Sequence, residues 1–232
     1  MKRIGFIIML TGISLLAGCS QITVLDPKSD TGKDQAYLIW LSLAIMFLVL
    51  IVVFILFTWF VIKYRYTEKR KYEIPVDVIG DKRLEFTYTI IPIILLIILA
   101  IPTARITFEQ SPGTEAFQDA EGVEVNVTGK QFQWDFEYEN GEEDTNKLVL
   151  PEGEPAIFHL KSEDVVHSFW IPELAGKVDL YPHETLTYRI ENPEKGEYEG
   201  KCAEFCGAQH ANMTFDVEVV SEDEYEDYLD DL

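Results

Sequence analysis

Residues 36–62 run for 27 positions without a charged side chain (AYLIWLSLAIMFLVLIVVFILFTWFVI). A helix needs about 20 apolar residues to cross the hydrocarbon of a bilayer, so this stretch predicts a tilted span. Trp40, Trp59 and Tyr64 fall near its ends, where aromatic rings favour the membrane–water boundary. Residues 86–104 form a second uncharged run, 19 long, closed by Arg105 and containing Pro92 and Pro102. Prolines are tolerated better in spans than in soluble helices. The alternative, a buried hairpin of a water-soluble protein, would have to hide both runs. Between them lie Lys63, Arg65, Lys69, Arg70, Lys71, Lys82 and Arg83, seven bases within residues 63–85. That concentration marks a cytoplasmic loop. Both flanks then lie outside, and the fold expected is a two-helix transmembrane hairpin bearing a C-terminal domain on the outer face of the plasma membrane.

The N-terminus agrees with export. Lys2 and Arg3 precede a short apolar stretch, small residues and Cys19, the layout of a secretory signal rather than a span. Its end, Leu16-Ala17-Gly18-Cys19, resembles a bacterial lipobox. The resemblance implies that residues 1–18 are removed and that Cys19 is acylated, anchoring the chain in membrane lipid. An ordinary signal cut nearby would leave Cys19 incidental. Residues 19–106 are then an N-terminal segment and the hairpin, residues 107–220 the outer domain, and residues 221–232 an acidic tail.

Charge divides the chain at the same place. Residues 107–232 hold 32 acidic and 7 basic side chains, net −25, whereas the first 106 are net +4. Phosphate binding needs a basic face, so nucleic acid is excluded as the main partner. A basic partner fits better. The outer domain reads as strands: 123–128 and 131–139 alternate, the latter placing Phe132, Trp134, Phe136 and Tyr138 on one face. Residues 155–160, 167–172, 185–190 and 214–220 follow between Pro, Gly and Asn turns. Some eight short strands of this kind predict an all-β sandwich or barrel. The tail, SEDEYEDYLDDL, reads as too acidic to pack, a short helix or disorder.

The chemistry lies in residues 201–213, KCAEFCGAQHANM. Cys202, Cys206, His210 and Met213 are soft or borderline ligands within twelve positions, a set that favours copper over hard cations. One Cys, one His and a weak Met from one loop, with a second His from a distant strand, is the blue-copper pattern, and His167 supplies the upstream ligand. The second Cys changes the reading. Two thiolates on one loop can bridge two coppers, each with its own terminal His, so that one electron is shared over both. A Cys202–Cys206 disulfide would leave His210 and Met213 unexplained. Zinc would take two Cys and two His and have no use for Met213.

Val165-Val166-His167 followed by Cys-x3-Cys-x3-His-x2-Met resembles the CuA signature of subunit II of cytochrome c oxidase with no position missing. The resemblance covers the mature chain and implies a cupredoxin outer domain, a Greek-key β-sandwich. It implies that Cys202 and Cys206 bridge the coppers, that His167 and Met213 complete one, and that His210 and the Glu204 carbonyl complete the other. The Glu204 side chain would face a magnesium ion shared with subunit I. Glu85, at the start of the second span, would mark a proton path into subunit I. The segment Gly129-Lys-Gln-Phe-Gln-Trp134 resembles the aromatic stretch beneath the docking face for cytochrome c, but Phe132 stands where many members place the electron-entry Trp. Trp134 is then a core residue or part of that entry, and Asp164 and Glu137 would attract a basic cytochrome, with effects on association rate. His159 and His183 are read as structural.

The function implied is electron entry into a terminal haem-copper oxidase. Electrons pass from cytochrome c to CuA and on to haem in subunit I, where oxygen becomes water and protons are pumped, with subunit III also in the complex. Rival readings are the copper subunit of a nitric-oxide reductase, a membrane-bound copper carrier, and subunit II of a quinol oxidase, whose members lack the Cys, His and Met set. No Cys-x2-Cys-His haem motif follows Met213, so a separate protein is the expected donor.

Overall fold

The computed structural model describes residues 22–72, 74, 80–113, 117 and 121–232. Cys19 and the signal segment lie outside the described residues. Contacts divide the chain into two units, residues 37–109 and a β-rich unit formed by residues 110–232 with the segment up to Ala36.

The first unit is helical. Helix α1, Asp30–Tyr64, and helix α2, Lys82–Gln110, are each long and apolar enough to cross a membrane. Each outruns its uncharged core, because polar residues at both ends continue the helix without entering hydrocarbon. Asp81 starts α2 by accepting from the Arg83 and Leu84 backbone N–H groups at 2.8 and 3.3 Å. Pro92 and Pro102 lie inside α2. Glu85 sits in its first turn, exposed.

The β-rich unit contains β1 (Val123–Lys130), β2 (Gln133–Tyr138), β3 (Glu143–Thr145), β4 (Lys147–Pro151), β5 (Ala156–Ser162), β6 (His167–Trp170), β7 (Val178–Leu180), β8 (Leu186–Ile190), β9 (Gly196–Cys202) and β10 (Thr214–Val220). They form two five-stranded sheets, β3-β2-β1-β5-β8 and β4-β10-β9-β6-β7. Two parallel pairings, β1 with β5 and β10 with β4, record where the chain crosses from one sheet to the other. The result is the β-sandwich expected of a cupredoxin.

Alternation drives the sandwich. In β2, Trp134, Phe136 and Tyr138 are buried while Glu137 faces out, the period-2 pattern of a half-buried strand. Trp134, Phe136, Phe158, Phe169 and Phe215 meet between the sheets, with Phe169 and Phe215 stacked at 5.2 Å. Burying each such ring contributes about 2–3 kcal/mol. Gly200 sits opposite Phe215 in the β9–β10 ladder, and a Cβ there would fall 2.0 Å from the Phe215 ring. Asn146, at the corner between β3 and β4, adopts φ +59°. It donates its backbone N–H to the Trp134 carbonyl at 2.8 Å and accepts the Trp134 N–H on Oδ1 at 2.9 Å. Asp216 of β10 donates to the Asn146 carbonyl at 2.9 Å, so this one corner ties the two sheets.

Two features depart from the sequence reading. The acidic tail packs: Glu222–Asp231 forms helix α3, and Tyr225, Tyr228 and Leu229 rest on the core. Their i, i+3, i+4 spacing makes one apolar stripe within a run of acids. It covers the outer side of β4, which explains why Leu148, Val149 and Leu150 are all buried. Ser221 and Glu224 form a capping box, and Tyr228 donates to Asp144 at 2.7 Å. Truncating Tyr225 (Tyr225→Ala) is expected to lower unfolding stability by about 2 kcal/mol or more, read by denaturant titration of the metal-free chain; an unchanged midpoint would mean that the helix does not contribute to the core.

The second departure is at the N-terminal side. Residues 28–31 are woven into the β-rich unit. Lys28 N–H donates to Glu173 O at 2.7 Å, Asp30 N–H to Glu191 O at 3.0 Å, and Glu191 N–H to Thr31 Oγ1 at 2.9 Å. Ser29 and Thr31 are buried, with the Ser29 hydroxyl on the Leu174 carbonyl.

Candidate metal centre

The candidate ligand residues gather at one end of the sandwich. His167 opens β6, Cys202 closes β9, and the loop 203–213 carries the rest. Cys202 N–H donates to Met213 O and Ala203 N–H to Ser168 O, both at 2.9 Å, which pins the base of the loop to its own sheet. Gly207 turns the loop at φ +138°, a conformation that favours glycine. A short 3-10 turn, His210–Asn212, brings the chain back to Met213.

The side chains converge. Cys202 Sγ lies 3.7 Å from Cys206 Sγ, 3.9 Å from His167 Nδ1 and 3.2 Å from the Glu204 carbonyl. Cys206 Sγ lies 3.7 Å from His210 Nδ1 and 3.7 Å from Met213 Sδ. Two donors on one first-row ion, with metal–sulfur and metal–nitrogen bonds of about 2.3 and 2.0 Å at a tetrahedral angle, stand roughly 3.5–3.8 Å apart. The spacings fit a metal. The cysteines are free thiols, both buried, and His167 and Met213 are wholly buried, whereas His210 is half-buried.

Electrostatics point the same way. Burial opposes ionisation of Cys202, but His167 and nearby backbone N–H groups outweigh it and hold the thiol down at about 6. Burial and the Cys202 thiolate together push Cys206 up to about 12. Two unit charges about 4 Å apart at an effective dielectric near 20 repel by about 4 kcal/mol, a roughly thousandfold penalty on the second ionisation. Cys202 and Cys206 would hold a cation as thiolates, which would offset that repulsion and let the remaining thiol proton leave.

Asp164, expected only as a docking acid, has a second place here. Its Oδ1 accepts from His167 Nε2 at 2.8 Å and from Val165 N–H at 2.6 Å. With the proton on Nε2, the Nδ1 lone pair faces Cys202, the arrangement by which a carboxylate orients a metal-binding imidazole. The carboxyl is also costly to bury, but hydrogen bonds from Gln131, His167 and Val165 hold it below the usual carboxylate range. The pattern missed this contact because a carboxylate three residues before a His is ordinary in an acid-rich domain.

The other predicted residues separate. Trp134 is fully buried, its ring 6.1 Å from that of His167. Phe132 is partly buried against the core. Glu137 is exposed on β2, with Asn126 at 3.4 Å. The Glu204 carboxylate lies 3.7 Å from Lys177 Nζ. Phe205, between the cysteines, is 77% exposed and edge-on to His210 at 5.8 Å. His159 stands on β5 between Glu124 and Thr187.

Family comparisons meet this geometry. The transmembrane-domain family of cytochrome c oxidase subunit II matches residues 19–106, and its periplasmic-domain family matches residues 141–220. The cytochrome c oxidase subunit 2 of Alkalihalophilus pseudofirmus is 42% identical over 224 residues, covering 94% of this chain and 65% of that protein. The quinol oxidase subunit 2 of Bacillus spizizenii is 33% identical over 231 residues, covering 99% of this chain and 72% of its own length. The chain belongs to the haem-copper oxidase subunit II family. This subunit II therefore spans about two thirds of the length of the relatives it matches. It also resembles the crystal structure of the periplasmic domain of subunit II of cytochrome oxidase from Bradyrhizobium japonicum, at 25% identity and a TM-score of 0.45, over 47% of this chain and 93% of that one. This subunit II is thus a membrane protein whose His–Cys–Cys cluster suits copper.

Proposed function

We propose that this subunit II is the electron-entry subunit of a cytochrome c oxidase, with a binuclear CuA centre held by Cys202, Cys206, His167, Met213, His210 and the Glu204 carbonyl. The single observation that carries the reading is the pair of buried sulfurs 3.7 Å apart with a His beside each. Copper bound there supplies a one-electron store shared over two ions. The chain's own residues do the rest: Cys202 and Cys206 supply the two bridging sulfurs, Asp164 holds His167 in the ligating tautomer, and the buried aromatic core excludes water. His210 and Phe205 bring the site to the surface, and the acidic outer domain favours a basic donor, a cytochrome c.

Subunit I would receive the electrons at haem, reduce oxygen to water and pump protons, with subunit III alongside. Cys19 as lipid anchor, Glu85 as a proton-path entrance and Glu204 as a magnesium ligand belong to the same reading, as do the boundaries at residues 18, 106 and 220. Relatives named quinol oxidase subunit 2 favour a second reading in which a quinol is the donor; that reading leaves the five ligand side chains without a task.

The test is the copper-loaded full chain in detergent, examined by metal analysis, visible absorption and EPR. Two coppers per chain and hyperfine structure from one electron shared by both nuclei are expected. A mononuclear blue spectrum, or no retained copper, would overturn the binuclear site. Assembled oxidase should then oxidise reduced cytochrome c in preference to quinol.

A further inference from the structure

One residue reaches both halves of the candidate ligand set, the His167 half through Asp164 and the Cys206 half directly. Gln131 follows β1 in the turn to β2, at the end of the sheet that supplies no ligand side chain. Its backbone N–H donates to Asp164 Oδ2 at 2.8 Å, and the other oxygen of that carboxylate holds His167 Nε2. Its side-chain Nε2 donates to the Cys206 carbonyl at 2.5 Å. The neighbouring glycine makes room for this bond, since a Cβ on Gly207 would fall 2.7 Å from Gln131 Nε2.

We propose that Gln131 is a positioning residue for the metal centre, fixing His167 and the Cys206 turn to one hairpin so that both are in place before metal arrives. The inference rests on the copper reading above. Residues 203–213 are anchored at their base by Cys202, Ala203 and Met213. The tip at Cys206 and Gly207 is where the opposite sheet reaches across, through Gln131. Without that bond the tip samples more conformations, and metal binding has to supply the ordering itself. Partners that orient metal ligands are typically worth roughly 10–100-fold in metal affinity, and the surface position of Gln131 favours the lower end.

Two variants of the full chain in detergent separate positioning from packing. Gln131→Met keeps the length and the backbone N–H but loses the amide; Gln131→Glu keeps the shape but turns a donor into an acceptor facing the Cys206 carbonyl. The control is Gln133→Ala, whose side chain bonds Asp135 at 2.7 Å. Two rates are measured: copper loss to a chelator, and alkylation of Cys202 and Cys206 by iodoacetamide in the metal-free chain, each site read separately by mass spectrometry because the thiolate at Cys202 reacts first. Both variants should lose copper about tenfold faster and alkylate measurably faster, with an unchanged circular dichroism spectrum and an unchanged control. Rates indistinguishable from the unmodified chain, or a Glu variant that behaves as the unmodified chain does, would overturn the proposal and leave Gln131 as filler. If the unmodified chain retains no copper, the copper reading fails, and the alkylation rates still decide the positioning role.

Discussion

Copper binding by the Cys206→Ser chain is expected to fall from two ions to one or none, with the shared-electron EPR signal gone. Cys206 is the hub of the cluster, its sulfur 3.7 Å from Cys202 Sγ, His210 Nδ1 and Met213 Sδ alike. Serine nearly preserves the volume but offers a hydroxyl that stays protonated at neutral pH and is hard where copper prefers soft donors. Losing a partner that merely orients a ligand costs roughly 10–100-fold in metal affinity, and losing a bridging ligand should exceed that range. The fold should survive, because a small buried hydroxyl costs only about 1–3 kcal/mol when it lacks a partner. The companion Cys202→Ser should fail differently, since its sulfur faces His167 and the Glu204 carbonyl while Cys206 still has His210 and Met213 beside it. Metal analysis and EPR on both chains, with thermal unfolding of the metal-free forms, make the measurement. Two retained coppers with an unaltered signal in Cys206→Ser would sink the bridging role.

The parts legible in the sequence are those where one physical period dominates. Long uncharged runs have one stable solution in a bilayer, so both helices were visible, and β1, β2 and β10 alternate cleanly because one face of each meets the core. β9 was missed because two of its inward positions in GEYEGKC, Gly196 and Gly200, carry no side chain, and Gly200 gives its space to Phe215. β4 was missed because it is buried on both faces and so carries no alternation. The tail's short helix is one of the two forms the sequence allows, but its packing was not legible because seven acids mask three apolar positions that matter only once β4 needs covering. The ligand types and spacing were legible because all but His167 lie in one loop. Asp164 and Gln131 were not: a carboxylate three residues before a His is ordinary in so acidic a domain, and Gln131 acts through hydrogen bonds to residues distant in sequence that no local pattern records.

Truncation of Trp134 (Trp134→Ala) should be the most destabilising single change in the core, about 3–5 kcal/mol, and should loosen the metal centre as well. The indole is fully buried and meets Phe215 at 5.4 Å, Phe169 at 5.9 Å and the His167 ring at 6.1 Å. It therefore closes the wall between the aromatic core and the ligand end of the sandwich. Cavity formation accounts for the stability loss, because the stacked Phe169–Phe215 pair is held by two strands of the opposite sheet and cannot collapse into the space. The effect on metal follows from His167: with its neighbour gone, the ring keeps Asp164 on one edge and loses the surface that fixes its tilt. Trp134→Phe should restore most of the stability while leaving copper release faster than in the unmodified chain, because a smaller ring fills the core but does not reach the imidazole. Denaturant midpoints and chelator-release rates for the two variants separate the effects. If both changes left copper release untouched, Trp134 would be a core residue alone, and the orientation of His167 would rest on Asp164.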